Sequence, residues 1–428
     1  MNIGKMLKSK AVQNGMWLYV LQLFNTVIPL ITLPYITRIL GAAEYGVFSI
    51  AFNLIGYFQV VVEYGFAMSG ARKASLSKGI DELHKTFTAI MLSRLLLCFL
   101  CFLAALGYSS LFMHSKKQSF CLLLLFLIPL GTVFQQTWVF QGLQKMQYIT
   151  ITSVISRIVS LICIFVLVKD KNDLTLYCIC YSITTVLIGV IGTFLAITKL
   201  KLRLVKITVK DVIEEIKTGW YVFTTSLSAK IFSTFGITIL GIMATEYEVG
   251  IFSAIQKIPG VMMLAWFPIG QVLYPISSKR MTDSYLEGRK YVKNIRNKIV
   301  PVFMLGIICV ALPAKLIVAI SFGKEYAEYF YIMYPLLAWV LLGILNNFKG
   351  IQVLLAGGYS KEYSKCFQVG VFSNVVLDIV LIKFWRVIGA ALALAISELI
   401  LSVLLSMQIF KLDKKFCKEK EKGECDTI

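Results

Sequence analysis

Twelve stretches of mostly apolar residues, separated by short polar breaks, run the length of this 428-residue chain, near 12 to 36, 47 to 69, 84 to 107, 119 to 141, 148 to 168, 174 to 198, 219 to 243, 250 to 276, 299 to 321, 329 to 356, 365 to 384 and 388 to 411. A bilayer core about 30 Å thick needs roughly 20 such residues per crossing helix. Length alone would allow two or three soluble domains, but 58% of the residues are hydrophobic and only 15% charged, with a mean hydropathy of +0.77. The expectation is an all-α polytopic membrane protein of about twelve transmembrane helices. The basic opening MNIGKMLKSK precedes an apolar run too long for a cleavable signal and without a small-residue cleavage site, so that run reads as a first crossing.

A formal net charge of +20 would suggest nucleic acid in a soluble protein. Its distribution argues otherwise. One alternating set of breaks (1 to 11, 70 to 85, 142 to 148, 199 to 218, 278 to 298, 359 to 365 and the end after 410) holds 29 of the 43 Lys and Arg, and the other set holds 8. The positive-inside rule then predicts both termini in the cytoplasm, and attraction to anionic head groups accounts for the rest without nucleic acid. The ten cysteines show no disulfide or metal spacing. The ending KLDKKFCKEKEKGECDTI reads as a solvated, disordered tail.

Two phrases recur. AAEYGVFSIAF (42 to 52) and EYEVGIFSAI (246 to 255) align with Gly46 on Gly250, an offset of 204. QQTWVFQ (135 to 141) and NNFKGIQ (346 to 352) align at an offset of 211. Both matches pair a helix with the sixth one after it, which predicts two six-helix lobes related by a parallel repeat, with substrate at their interface in a central cavity. The predicted boundaries are an N-terminal lobe 1–198, an amphipathic cytoplasmic linker 199–218, a C-terminal lobe 219–411 and a charged cytoplasmic tail 412–428.

Six cations remain inside the apolar runs: Arg94, Arg157, Lys230, Lys257, Lys315 and Lys349. Each costs roughly 2.5 to 3.5 kcal/mol at a helix centre, so such residues face a water-filled cavity or a partner. Arg94 and Lys315 lie nearer helix ends and are expected to snorkel. Lys230, flanked at helical spacing by Ser226 and Ser233, together with Lys257, Lys349 and Arg157, is expected to form a cationic cavity. Asn346, Lys349 and Gln352 share one arc of a helix, and Gln135, Trp138 and Gln141 repeat it in the first lobe. The membrane-embedded acids are Glu63, Asp378 and Glu398. They are candidates for proton or sodium coupling, or for pairing with these cations as interhelical glue. Clustered cations suit paired phosphates, while Gln135, Trp138, Gln141, Asn346 and Gln352 offer amides and a ring to sugars. Together they suggest a phosphorylated, sugar-bearing lipid.

The stretches PLITLPYITRILGAAEYGVFSIAF (29 to 52), EYGFAMSGARKAS (63 to 75), TWVFQGLQKMQYITITSVISRI (137 to 158) and IGAALALAISELI (388 to 400) resemble the O-antigen and capsular polysaccharide repeat-unit flippases. These form the polysaccharide-transporter branch of the multidrug/oligosaccharidyl-lipid/polysaccharide exporter superfamily. The resemblance implies a multi-pass protein of the bacterial inner membrane that moves an undecaprenyl-diphosphate-linked oligosaccharide across it. It implies alternating access of two lobes, no ATP hydrolysis and no cofactor, with a polysaccharide polymerase and a chain-length regulator as partners. Arg38, Gly41, Gly46, Phe48, Arg72, Trp138, Gln141 and Gly142 match the family's motif positions. Where that pattern often carries Asp before the Gly ending its second helix, this chain has Glu63-Tyr64-Gly65.

The rival readings are an ion-coupled multidrug or cell-wall lipid-precursor exporter of the same superfamily and, further off, a membrane glycosyltransferase or polymerase. Drug exporters favour acid-lined cavities, whereas here embedded cations outnumber acids. An enzyme would need catalytic groups on a substantial exterior loop. Only Asp170, Asp173, Glu246 and Glu248 stand out there, and they read as loop solvation. His84 and His114 have no metal-ligand company, and no GxxxxGK phosphate loop is present.

Overall fold

The computed structural model describes residues 10–113 and 115–425; the basic residues 1–9, His114 and residues 426–428 lie outside it, as do the side chains of Cys417 and Cys425. All regular structure among the described residues is helical. The first unit, Met1–Lys230, contains α1 (Lys10–Glu63), α2 (Phe66–Leu76), α3 (Ile80–Phe112), α4 (Lys116–Leu125), α5 (Leu127–Val133), α6 (Thr137–Gly142), α7 (Met146–Leu167), α8 (Leu174–Lys199) and the start of α9 (Val209–Met243). The second unit, Ile231–Ile428, contains the remainder of α9, then α10 (Glu246–Ile255), α11 (Lys257–Asp283), α12 (Tyr285–Ala311), α13 (Ala314–Phe322), α14 (Lys324–Ala327), α15 (Met333–Lys349) and α16 (Ser360–Cys425).

Ten helical stretches are long and apolar enough to cross a membrane, and two of them carry two crossings each. The 54 residues of α1 would reach about 80 Å and the 66 of α16 about 100 Å as straight rods, far more than one bilayer core. The α1 stretch breaks at Gly41, where φ is 76° and ψ 174°. Glycine carries that conformation without a Cβ clash. The α16 stretch breaks at Arg386, φ 49°. There the chain doubles back: a Cβ on Gly389 would stand 2.2 Å from the carbonyl oxygen of Leu381, a residue that would be about 12 Å away along a straight helix. Twelve crossings result.

Each unit has its own core. In the first, Phe66, Phe87, Ile90, Trp138 and Phe140 pack together, and α2 meets α6 closely because Gly70 faces the Trp138 ring and Gly142 faces the Ala71 carbonyl. In the second, Trp266 lies 4.8 Å from Phe348 between ring centroids, beside Val353 and Leu405. The repeated phrases occupy equivalent settings: residues 45–49 and 249–255 are buried on every face. Likewise QQTWVFQ spans the break between α5 and α6, and NNFKGIQ runs from α15 into a π-helical turn, Gly350–Leu355. Such irregular turns in a helix often mark functional positions.

Two expectations are corrected. The linker 199–218 is not separate from the helix that follows it: its segment VKDVIEEIK (209 to 217) is the first part of α9, which continues through Met243. Glu215 within it pairs with Lys73 of α2 at 2.7 Å, holding the helix to the first unit. The charged ending is helical as far as Cys425. Phe416 stacks on Tyr285 at 4.4 Å and Asp413 accepts the Tyr285 hydroxyl at 2.7 Å, which order it. Cys121 and Cys178, buried in α4 and α8, lie with their sulfurs 3.0 Å apart, a proximity that their spacing in sequence does not reveal.

The reversal at Arg386 is expected to tolerate no side chain at Gly389. Gly389→Ala should lower stability by at least about 1 to 3 kcal/mol through overpacking against backbone. Gly107→Ala in α3, where a Cβ would meet nothing within 4 Å, should be neutral or mildly stabilising. Thermal unfolding of the two purified variants in one detergent checks this.

Candidate substrate site

In the first unit the membrane-embedded charges are the Arg94–Glu63 pair, Lys230 and Arg157. Arg94 is fully buried, contrary to its expected snorkelling, because α3 begins at Ile80 and places it about 20 Å along the helix. Its guanidinium donates to Glu63 Oε2 at 2.8 Å and to the Gln135 carbonyl at 2.5 Å, and it lies over the Phe66 ring. Glu63 also accepts the Ala67 amide through Oε1 at 3.0 Å, capping α2 after the left-handed Tyr64 and Gly65. The Glu63-Tyr64-Gly65 turn and the break before α6 are thus held by one arginine. Glu63, a candidate for ion coupling, is committed to this pair.

Lys230 lies along the second half of α1: its Nζ would be 2.6 Å from a Cβ on Gly56 and stands 5.7 Å from the centre of the Tyr57 ring. Glycine at 56 is what lets the lysine lie there. Arg157 of α7 is half-buried, within electrostatic reach of Tyr181, and its Nε makes no hydrogen bond. Tyr181 belongs to an aromatic cluster with Phe48, Phe52 and Tyr177. Arg38, Arg72 and Gln141 are exposed.

Trp138 is corrected from sugar stacking to core packing. It is fully buried, and its Nε1 donates to Gln136 Oε1 at 3.1 Å, so no face of the ring is open to a sugar. The break before α6 turned it inward, which a single helical arc for Gln135, Trp138 and Gln141 does not foresee. Gln135 offers its carbonyl to Arg94 and leaves its side chain half-buried.

In the second unit, Lys257 opens α11 as an exposed side chain directly after the fully buried 249–255 run. Lys349 donates to Ser402 Oγ at 2.6 Å and to the Ser402 carbonyl at 3.3 Å. Asn346 and Gln352 are buried and spent within the protein, another departure from the sugar-contacting role: Asn346 donates to Glu398 Oε2 at 2.5 Å and Gln352 to the Gly270 carbonyl at 2.9 Å. Glu398 and Asp378 are both buried on α16. Asp378 Oδ1 lacks a hydrogen bond, and with its amide turned over Asn374 donates to Asp378 Oδ2 at 3.2 Å and accepts from Ser397. Neither acid forms an ion pair among the described residues.

Of the acids in the other loops, Asp173 closes the turn before α8 and Glu248 caps α10. Asp173 accepts the Lys169 and Asp170 amides at 2.8 and 2.9 Å, which hold its carboxyl below the usual carboxylate range. Glu248 forms a capping box with Thr245 and pairs with Arg386 at 3.3 Å, next to the reversal in α16. This is local structure, with no catalytic pairing.

The family described as polysaccharide biosynthesis protein matches residues 11–281, well over half of the sequence. The chain belongs to that family. A protein of Escherichia coli (strain K12) described as "Putative O-antigen transporter" is 26% identical over 401 residues, covering 92% of this chain and 95% of its own length. Among solved structures, lipid II flippase MurJ in an inward closed conformation superposes with a TM-score of 0.71 at 15% identity, over 93% of this chain and 87% of its own. An inward-facing multidrug resistance MATE family transporter of the MOP superfamily superposes at 0.68 and 12% identity, over 91% and 99%. At those identities the likeness shows the fold: twelve membrane helices in two six-helix lobes. This membrane protein of polysaccharide biosynthesis therefore has the fold of those two solved structures, and its Escherichia coli relative is described as a transporter rather than an enzyme.

Breaking the Arg94 pair from one side should be costly. Glu63→Ala leaves a buried, unpaired guanidinium and should destabilise by about 3 to 5 kcal/mol, whereas the double variant Glu63→Gln with Arg94→Met should recover much of that loss. A double-mutant cycle on detergent-solubilised protein reads the coupling.

Proposed function

We propose that this chain is a flippase that carries an undecaprenyl-diphosphate-linked oligosaccharide repeat unit, of an O-antigen or a capsule, from the cytoplasmic to the outer leaflet of the bacterial inner membrane by alternating access. The observation that carries the reading is a set of cations in membrane-crossing segments that no carboxylate neutralises. Arg157, Lys257 and Lys349 form no ion pair among the described residues, in contrast to Arg94. A charge kept in the membrane at that cost implies a partner that comes and goes, and a diphosphate is such a partner for ammonium and guanidinium groups. Similarity over 92% of the chain to a protein described as "Putative O-antigen transporter" supports the same substrate class. Lys230, Lys257, Lys349 and Arg157 engage the diphosphate in this reading, and Gln141 and the half-buried Gln135 side chain are left to meet sugar hydroxyls.

Coupling to a proton or sodium gradient falls to Asp378 and Glu398, because Glu63 is held by Arg94. The proposed orientation has the basic breaks and both termini in the cytoplasm, and a polymerase and a chain-length regulator would receive the flipped unit on the opposite side of the membrane.

Complementation tests the reading. In a strain lacking its own repeat-unit flippase, the wild-type chain should restore surface polysaccharide. Lys230→Ala and Lys257→Ala, at matched expression, should each reduce it about ten- to a hundredfold, as expected for one lost charge-assisted bond. Gly56→Val, which would displace the Lys230 ammonium without removing it, should resemble Lys230→Ala. Normal polysaccharide in all three variants would overturn the assignment of these residues.

Asp378→Asn and Glu398→Gln address coupling separately. Each should abolish the dependence of transport on an imposed ion gradient while leaving substrate binding to purified protein intact. Unchanged gradient dependence in both would remove these acids from the mechanism.

A further inference from the structure

At one end of the second unit a cavity of about 240 Å³ is lined by Arg289, Lys293 and Arg296 of α12, by Lys349, and by Ser406, Phe410 and Asp413 of α16. Arg289, Lys293 and Arg296 recur at i, i+4 and i+7, so one face of α12 delivers all three charges. The sequence shows these residues only as part of a basic break. The fold adds Lys349 from α15, which lies within electrostatic reach of both Arg296 and Arg289. Four cations therefore converge on a space that holds a single carboxylate.

That carboxylate is already engaged. Asp413 Oδ1 stands 3.5 Å from Arg289 Nε and accepts the Tyr285 hydroxyl. Arg296 spends two of its nitrogens on the neighbouring Asn297 side chain, and Lys293 is exposed. The cavity retains an excess of positive charge, with a hydroxyl, Ser406, on its wall. A phosphate ester matches it in charge and in acceptor geometry.

What lies beside the cavity selects the source of that phosphate. Phe410 on its rim is 69% exposed, and Leu399, Val403 and Met407, exposed by 50%, 53% and 53%, continue from it along α16. At 100° per residue these four fall within an arc of about 80°. A polar cavity at one end of an apolar stripe fits an amphiphile lying along the helix, with its head group in the cavity and its acyl chain on the stripe. A free anion would use the first and leave the second uncovered.

We infer that Arg289, Lys293, Arg296 and Ser406 form a binding site for the phosphate of an anionic phospholipid, whose acyl chain lies on the exposed Leu399–Phe410 face of α16. Basic pockets between membrane helices recognise such head groups. The bound lipid bridges α12 and α16 where Asp413 and Tyr285 already join them. Asp413 acts as a built-in competitor, occupying Arg289 when no lipid is present. The cavity shares Lys349 with the transport proposal, so the test varies only residues outside that proposal and reads binding in purified protein rather than polysaccharide.

Native mass spectrometry of the full-length protein, titrated with phosphatidylglycerol, phosphatidylcholine or inorganic pyrophosphate, decides it. Phosphatidylglycerol should bind and phosphatidylcholine should not. Each lost charge should weaken binding about fivefold, so Lys293→Gln combined with Arg296→Gln should weaken it about twenty-five-fold. Asp413→Asn keeps an acceptor for Tyr285 but frees Arg289, and should tighten binding about fivefold, a gain that misfolding cannot imitate. Unchanged phosphatidylglycerol affinity in the double variant, or loss of affinity in Asp413→Asn, would overturn the inference. So would pyrophosphate binding that the double variant weakens while phosphatidylglycerol binding stays as it was, since that would mark a site for soluble phosphate.

Discussion

The hydrocarbon core offers no water to a backbone amide, so every backbone polar group that crosses it must be satisfied within the chain. The architecture follows from that constraint. Helices here run on without interruption except where something specific compensates: a glycine at Gly41, a carboxylate and an arginine at Glu63-Tyr64-Gly65, and a π-helical turn at Gly350–Leu355. The Arg94–Glu63 pair belongs to the same economy. One guanidinium binds the carboxylate that caps α2 and the carbonyl exposed by the break before α6, so two interruptions of helical bonding share one charge.

Much of this was legible in the sequence because its signals are local. Run length gave twelve crossings, and the structure places their most cryptic joints, at Gly41 and Arg386, inside breaks that the hydropathy pattern had already marked at 37 to 46 and 385 to 387. The repeated phrases reported equivalent settings in the two units. The tail and the linker were misread for one reason: charge-rich segments look solvated until a tertiary partner appears. Glu215 finds Lys73, and Asp413 finds Tyr285 and Arg289.

The site was harder to read, for physical reasons. Helical-wheel reasoning assumes a continuous helix, and at Trp138 the helix is broken, so the ring turns into the core. Asn346 and Gln352 do share an arc with Lys349, but the neighbours that satisfy them, Glu398 and the Gly270 carbonyl, come from distant parts of the chain. Pairing between Glu63 and Arg94, 31 residues apart, is likewise invisible to spacing. Composition separates embedded cations from loop cations. Only the structure separates Arg94, which Glu63 neutralises, from Arg157, Lys257 and Lys349, which form no ion pair among the described residues.

Movement of substrate between leaflets is the central claim, and it can be measured without a cell. The purified chain would be reconstituted into liposomes carrying a polyprenyl-diphosphate-linked oligosaccharide in the inner leaflet, and arrival of sugar at the outer face followed with an externally added lectin or glycosidase. The account predicts time-dependent exposure of the sugar with the wild-type chain and little above protein-free liposomes with a Lys230→Ala, Lys257→Ala double variant that inserts normally. Exposure at the protein-free rate with the folded wild-type chain, across oligosaccharides of differing composition and with an ion gradient imposed in either direction, would contradict it.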